Sequence, residues 1–153
     1  MPHQAVNSTG DLPNDRPHVF KLSASYETGF GLIGGAILNL ESGSPINEFA
    51  VGPYPDHPAF VIQRGTAGRT PALWNLDLRF TYDLPIAQGP RIQVQADLLH
   101  VGNPRTAVLV DEMHYPTLDA DGNPDTLNPN PNYNLPTAYQ PPMAGRIGLQ
   151  VSF

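Results

Sequence analysis

Histidine, serine and cysteine side chains are the first candidates for chemistry, as metal ligands, nucleophiles or general bases. The five histidines are scattered and no two have the spacing of metal ligands: His3, His18, His57, His100 and His114. No serine lies in a Gly-x-Ser-x-Gly turn, no glycine-rich loop precedes a lysine that would hold phosphate, and the chain has no Cys. The sequence therefore predicts no catalytic, metal or cofactor site, and a protein that is not an enzyme.

The segment from Asp119 to Asp125 offers oxygen ligands at alternate positions, as a calcium-binding loop does. Its glycine, Gly122, comes two places early, and no glutamate follows at the bidentate position. Asp, Gly, Asn and Pro are also the residues that form tight turns. We therefore interpret the segment as a turn.

A third group of polar residues recurs at alternate positions of apolar stretches, where the side chains would share one face of a sheet. Such residues would form a polar wall, able to line a solute path or to pair with a neighbouring domain. They are Asp77, Arg79, Asp83, Gln93, Gln95, Asp97 and Arg146.

Five stretches alternate apolar and polar residues and are predicted as strands of an all-β, antiparallel meander. In the second, Gly31, Gly34 and Gly35, together with Gly29 just before it, make a helix unfavourable. All 18 prolines lie outside the five stretches, as expected because proline cannot donate to a strand ladder. The predicted strands are about 18–26, 30–41, 73–84, 91–101 and 143–153.

The connections alternate between short turns and the long loops 42–72 and 102–142. Outer-membrane barrels have short periplasmic turns and long extracellular loops. This arrangement predicts an open piece of a transmembrane barrel, in which residues 1–17 end an extracellular loop and the last strand runs to the periplasmic side. The Asn- and Pro-rich stretch 123–136 is interpreted as low-complexity loop.

Charge falls on one face of each predicted strand, and the opposite face carries no charge. A charge on the lipid face of a barrel costs roughly 2–4 kcal/mol at the midplane, which explains such one-sidedness. Aromatic residues at the predicted periplasmic ends would form an interfacial girdle: Tyr26, Phe30, Tyr82 and Phe153.

Composition excludes other classes of protein. The net charge of −6 and the absence of a basic cluster predict that nucleic acid is not a partner, and no apolar run has the length of a membrane-spanning helix. The first residues do not form an export signal. A location in the cell envelope would therefore require that the chain be a fragment of a longer protein.

Several segments together resemble the C-terminal part of a TonB-dependent receptor of the Oar-like group. Residues 14–20 are similar to the motif D-R-x-H-x-F, 41–45 to S-G-x-P, 74–78 to x-N-L-D-L, and 97–100 to N-L-F-N, with Asp97, Leu99 and His100 departing from the last. The terminal strand resembles the signal read by barrel-assembly machinery, with alternating apolar residues and a final aromatic. The residues of this signal are Ile147, Leu149, Val151 and Phe153.

The resemblance implies a fragment of a receptor that imports a large solute across the outer membrane of a Gram-negative bacterium. Implied partners are outer-membrane lipid, the assembly machinery, and the remaining barrel and plug, through which TonB would act. Two alternatives remain open. One is a soluble β-sandwich that serves as a surface or adhesion module; the other is a small outer-membrane barrel assembled from several copies.

Overall fold

The computed structural model describes residues 6–52, 58–86 and 89–153. Its regular elements are ten β-strands, and no helix occurs in the described ranges. The chain divides into two compact units. The sheet unit comprises His18–Glu41, Leu73–Arg105 and Gln140–Phe153, and the loop unit comprises Met1–Pro17, Ser42–Ala72 and Thr106–Tyr139.

The sheet unit contains one antiparallel sheet of five strands, which confirms the predicted all-β meander. Its strands are β1 (Val19–Glu27), β2 (Leu32–Glu41), β5 (Leu73–Asp83), β6 (Arg91–Leu99) and β10 (Ala144–Ser152). They lie side by side in chain order, so each pairs with the next strand of the meander. In the described part of the chain, β1 and β10 do not pair with each other, and the sheet remains open.

Two strand ends differ from the predicted bounds for local backbone reasons. The second strand begins at Leu32 rather than at Phe30, because Thr28 and Gly31 form a turn in which Gly31 has a φ of 91°. Thr28 Oγ1 accepts a hydrogen bond from the Leu32 amide at 3.0 Å and fixes this turn. The strand predicted to reach 101 ends at Leu99, because His100 has a left-handed φ of 57°.

The pairing register gives the sheet one charged and one apolar face. Directly paired residues point to the same side, so the register can be followed in rows across the strands. One row joins Arg79, Asp97 and Arg146; another joins Leu22, Leu38 and Leu76. Two isoleucines of β2, Ile33 and Ile37, also lie on the charged face.

Neither face of the sheet has an apolar core. Every residue of β1 and of β10 is exposed, and the described strands of the sheet bury only the carboxylate of Asp97. Large apolar side chains along the opposite face are exposed instead. They include Phe20, Leu22, Tyr26, Leu40, Trp74, Phe80, Leu98, Ile147, Leu149 and Val151.

The loop unit has its own short strands, which the sequence pattern did not predict. They are β3 (Phe49–Ala50), β4 (Ala59–Phe60), β7 (Ala107–Val110), β8 (Met113–Tyr115) and β9 (Pro136–Tyr139). β3 pairs with β4 and, in parallel, with β8; β7 pairs with β9. The two long loops are therefore bound to each other.

The buried apolar side chains among the described residues all belong to the loop unit: Ile46, Ala50 and Ala107. Asn47 is 3 % exposed, and its backbone amide and Nδ2 both donate to Oε1 of Glu112, at 2.7 and 3.1 Å. Its Oδ1 accepts from the amide of Gly65 at 2.9 Å. Asn47 thus joins three segments that are far apart in sequence.

Candidate functional site

The charged face of the sheet, here called the polar wall, is centred on Asp97 of β6. Its Oδ1 accepts from Nε of Arg79 at 2.7 Å, and its Oδ2 accepts from Nε and Nη2 of Arg146 at 2.8 and 2.6 Å. Gln95 donates to Oδ2 at 3.0 Å. Asp97 is 2 % exposed, whereas the two arginines are 57 % and 63 % exposed. The carboxylate is therefore covered by two guanidinium groups that remain open to solvent.

A second cluster on the polar wall surrounds Asp77 of β5. Its Oδ1 accepts from the backbone amide of His100, and its Oδ2 accepts from Nδ2 of Asn75, both at 2.8 Å. The buried ring of His100 lies 2.6 Å from Asn75 Oδ1 through Nδ1 and 3.1 Å from the Pro104 carbonyl through Nε2. These contacts stabilise the turn after β6, so the role of His100 is structural.

The remaining predicted wall residues lie on the same face, further along the strands. Gln93 donates to Asp83 Oδ1 at 2.7 Å, at an exposed position. The register thus brings all seven predicted residues onto one face. Ile147, Leu149 and Val151 lie on the opposite face of β10, where Ile147 is 84 % exposed, and Phe153 follows that strand and is fully exposed.

Residues that carry the family resemblance contact one another in the loop unit. Arg16 Nη1 donates to the Ser42 carbonyl at 2.8 Å, which joins the first two motifs. A Cβ atom at Gly43 would lie 1.6 Å from the Thr70 carbonyl oxygen, so only glycine fits there. Arg69 donates to the Gly43 carbonyl and forms ion pairs with Asp11 and Asp15 at 2.8 and 2.6 Å. The hydrogen bond to Asp15 is the main cause of a raised Arg69 pKa.

Two of the three carboxylates in the Asp119–Asp125 segment, those of Asp119 and Asp125, accept hydrogen bonds within turns. Asp119 Oδ1 accepts from the amides of Asp121 and Asn123 at 3.0 and 2.8 Å. Asn128 donates to Asp125 Oδ2 at 2.6 Å, and this bond is the main cause of a lowered Asp125 pKa. Among the described residues, no group of three His, Cys, Asp or Glu side chains is placed to hold a metal ion.

An aromatic stack in the loop unit was not predicted. The His114 ring lies between Tyr115 and Tyr133, with centroids 4.1 Å from each, and its Nδ1 is 2.8 Å from Glu48 Oε1. Burial is the main cause of a raised Tyr133 pKa, and the nearby charges of Glu48 and Glu112 add to it. The stack connects β8 with the segment before β9.

Sequence reasoning also missed the small residues that extend the polar wall. Ser25 of β1 pairs with Gly35 of β2, which pairs with Arg79 of β5. The row therefore continues from Asp97 and Arg79 over a glycine to a serine hydroxyl. Each residue type is unremarkable alone, so only the pairing register could have identified this arrangement.

Among the described residues, no helix has the length and apolar character needed to cross a membrane. Comparison with protein-family models, with curated proteins and with solved structures found no match to the chain.

Proposed function

We propose that the sheet unit is a section of the wall of a TonB-dependent receptor in the outer membrane of a Gram-negative bacterium. The observation that carries this proposal is the apolar face of a sheet whose strands have 9 to 11 residues: none of the large apolar side chains on its described strands is buried, and many are exposed. Apolar surface of this extent marks contact with a membrane or another protein. The proposed role is passive, as part of the barrel through which a large solute is imported, without catalysis.

Strand length supports a lipid-facing sheet. A strand tilted by about 45° needs about 9–11 residues to cross a bilayer, and strands in globular proteins most often have about 5–6. Trp74 and Tyr82 are eight residues apart on β5, about 26 Å along the strand and about 20 Å along the membrane normal at a tilt of about 40°. The apolar band of outer-membrane barrels is about 25 Å tall, so these two aromatics would lie inside the band, about 2–3 Å from its borders.

The two sheet edges support a wall that continues beyond these strands. Each edge strand, β1 and β10, is paired on one side only. In lipid an unpaired edge is prohibitively costly, because its amide and carbonyl groups have no water to bond. We expect further strands to pair with both edges, together with the barrel-assembly machinery that would insert them and a plug that would lie against the polar wall.

The odd number of strands in the sheet argues against a small barrel assembled from several copies of the chain. The sheet has five antiparallel strands, so β1 and β10 run in the same direction. If identical copies formed a ring, β10 of one copy would meet β1 of the next in parallel, whereas the strands of bacterial outer-membrane barrels are antiparallel. An odd number of additional strands closes an antiparallel barrel. This favours a larger receptor over self-assembly.

The soluble β-sandwich is disfavoured by the exposed face. A sandwich buries one face of each sheet against a second sheet about 10 Å away. Burial of one large apolar side chain contributes about 1.5–3 kcal/mol, and the described strands of this sheet bury none. A soluble module with this sheet would lack the main contribution to its own stability.

Folding of the chain with and without detergent tests the proposal. We expect aggregation in plain buffer, β-structure by circular dichroism where detergent or lipid is supplied, and heat-modifiable gel migration where complementing strands are supplied as well. Deletion of Phe153 should impair insertion, and Phe153→Tyr, which keeps the aromatic ring, should not. Cooperative folding in plain buffer, unchanged by the deletion, would establish the sandwich instead.

A further inference from the structure

A row of five paired residues crosses the polar wall from one edge strand to the other: Ser25, Gly35, Arg79, Asp97 and Arg146. Gly35 has no side chain, so a gap separates Arg79 from Ser25 across β2. The gap belongs to a cavity of about 520 Å³ whose walls include Ser23, Ile37 and Asp77. A volume of this size is in the range of small-molecule sites.

Asp97 determines which nitrogens of the Arg79 guanidinium remain free to bind a ligand in the cavity. It accepts from Nε of Arg79, which leaves both terminal nitrogens of that guanidinium without an acceptor in the described ranges. The side chain is 57 % exposed despite its ion pair. Two arginines share the carboxylate of Asp97, and Asp77, which also lines the cavity, balances the remaining positive charge. The free guanidinium nitrogens of Arg79, and not a net positive charge, are therefore what the cavity offers to a ligand. Asp97 is in this sense a positioning residue for Arg79.

The other carboxylate at the cavity is already engaged. Both oxygens of Asp77 accept hydrogen bonds, from the His100 amide and from Asn75 Nδ2. The groups left to meet a ligand are the terminal nitrogens of Arg79 and the hydroxyls of Ser23 and Ser25. Guanidinium donors in a planar fork, with hydroxyl donors nearby, match the oxygens of a carboxylate or phosphate.

We propose that this cavity, the Arg79 subsite, binds an oxyanion group, carboxylate or phosphate, of a dissolved solute. The proposal rests on the proposed function, since the solute would be met on the inner wall of the barrel. The acid group of a neighbouring polypeptide has the same chemistry. The cavity favours a solute, because its open volume exceeds what one acidic side chain would fill.

Labelling of arginines by phenylglyoxal, quantified by mass spectrometry, tests the subsite in the folded chain in detergent. Inorganic phosphate should slow labelling of Arg79 about threefold at about twice its dissociation constant, relative to chloride of equal ionic strength. Arg91, on the same face, serves as the internal reference. Ser25→Ala should weaken the protection, and Ser152→Ala, opposite Arg91, should not.

Two results would overturn the inference. Equal protection of Arg79 and Arg91 would indicate general ionic shielding and no site. Arg79 that is already unreactive without phosphate in cell membranes would indicate that an acidic polypeptide side chain occupies the position. The proposed function is tested separately by the detergent dependence of folding: if folding requires detergent and phosphate gives no protection, only the subsite is wrong.

Discussion

Arg146 of β10 contacts Asp97 of β6 through two nitrogens, Nε at 2.8 Å and Nη2 at 2.6 Å, and so connects an edge strand to the polar wall. Arg79 contacts the other oxygen of the same carboxylate from β5. Because each arginine can compensate the buried charge when the other is removed, their contributions to stability should be coupled.

A double-mutant cycle tests this coupling. Arg79→Gln and Arg146→Gln should each lower the free energy of unfolding only slightly. The double variant leaves Asp97 without an ion-pair partner and with only the hydrogen bond from Gln95, and it should lose more than twice the sum of the two single losses. Urea unfolding in detergent measures the difference. Asp83→Asn, at an exposed position, is the control, and strictly additive losses would contradict the shared-carboxylate arrangement.

Gly102 determines how closely Trp74 packs on the turn after β6. A Cβ atom at Gly102 would lie 2.6 Å from Trp74 Cη2, and the residue has a φ of 90°. Gly102→Ala should therefore lower the free energy of unfolding by about 1–2 kcal/mol through backbone strain alone. It should also displace the indole, which lowers the stability further and shifts the fluorescence emission of Trp74. Gly122→Ala is the matched control, with a φ of 80° and open space around it. Equal effects of the two substitutions on thermal unfolding would refute the packing argument.

Asn47 should be the main polar contact that holds the loop unit together. Asn47→Ala removes its bonds to Glu112 and Gly65 and leaves buried donors and acceptors unpaired, at a cost of about 1–3 kcal/mol. Hydrogen exchange of the Gly65 and Phe49 amides should accelerate. Exposed Asn132 provides the control substitution, Asn132→Ala. Unchanged exchange at Gly65 in the Asn47 variant would show that other contacts hold these segments.

Tyr133 should ionise at higher pH than an ordinary tyrosine, because its pKa is raised by burial and by Glu48 and Glu112. The folded loop unit then holds this proton more tightly than the unfolded chain. The associated stability is fully present below pH about 10 and is lost as pH rises through the folded pKa. Phenolate absorbance should show a late-ionising tyrosine that disappears in Tyr133→Phe. An identical titration curve for the variant would exclude the shift.

The sequence was most informative where the structural signal is local. Alternating apolar and polar residues predict β5 and β10 because successive side chains of a strand point to opposite faces of the sheet. Proline positions mark the segments that cannot lie inside a strand. The end of β6 was missed because the alternation of apolar and polar residues does not report the left-handed conformation that ends the strand at His100. The pairing of Asn47 with Glu112 spans 65 residues, and no periodic pattern links such distant segments. The register that aligns Ser25 with Arg79 likewise became visible only in the folded sheet.

Emission from Trp74, the only tryptophan in the chain, reports most directly whether the apolar face contacts lipid. Trp74 lies on that face and is 37 % exposed. In micelles of a brominated maltoside detergent its emission should be strongly quenched relative to the unbrominated detergent, and aqueous iodide should have little effect. The double variant Trp74→Phe, Thr81→Trp moves the indole to the polar wall and should reverse both responses. Iodide quenching of Trp74 without bromine quenching would contradict the membrane-facing sheet.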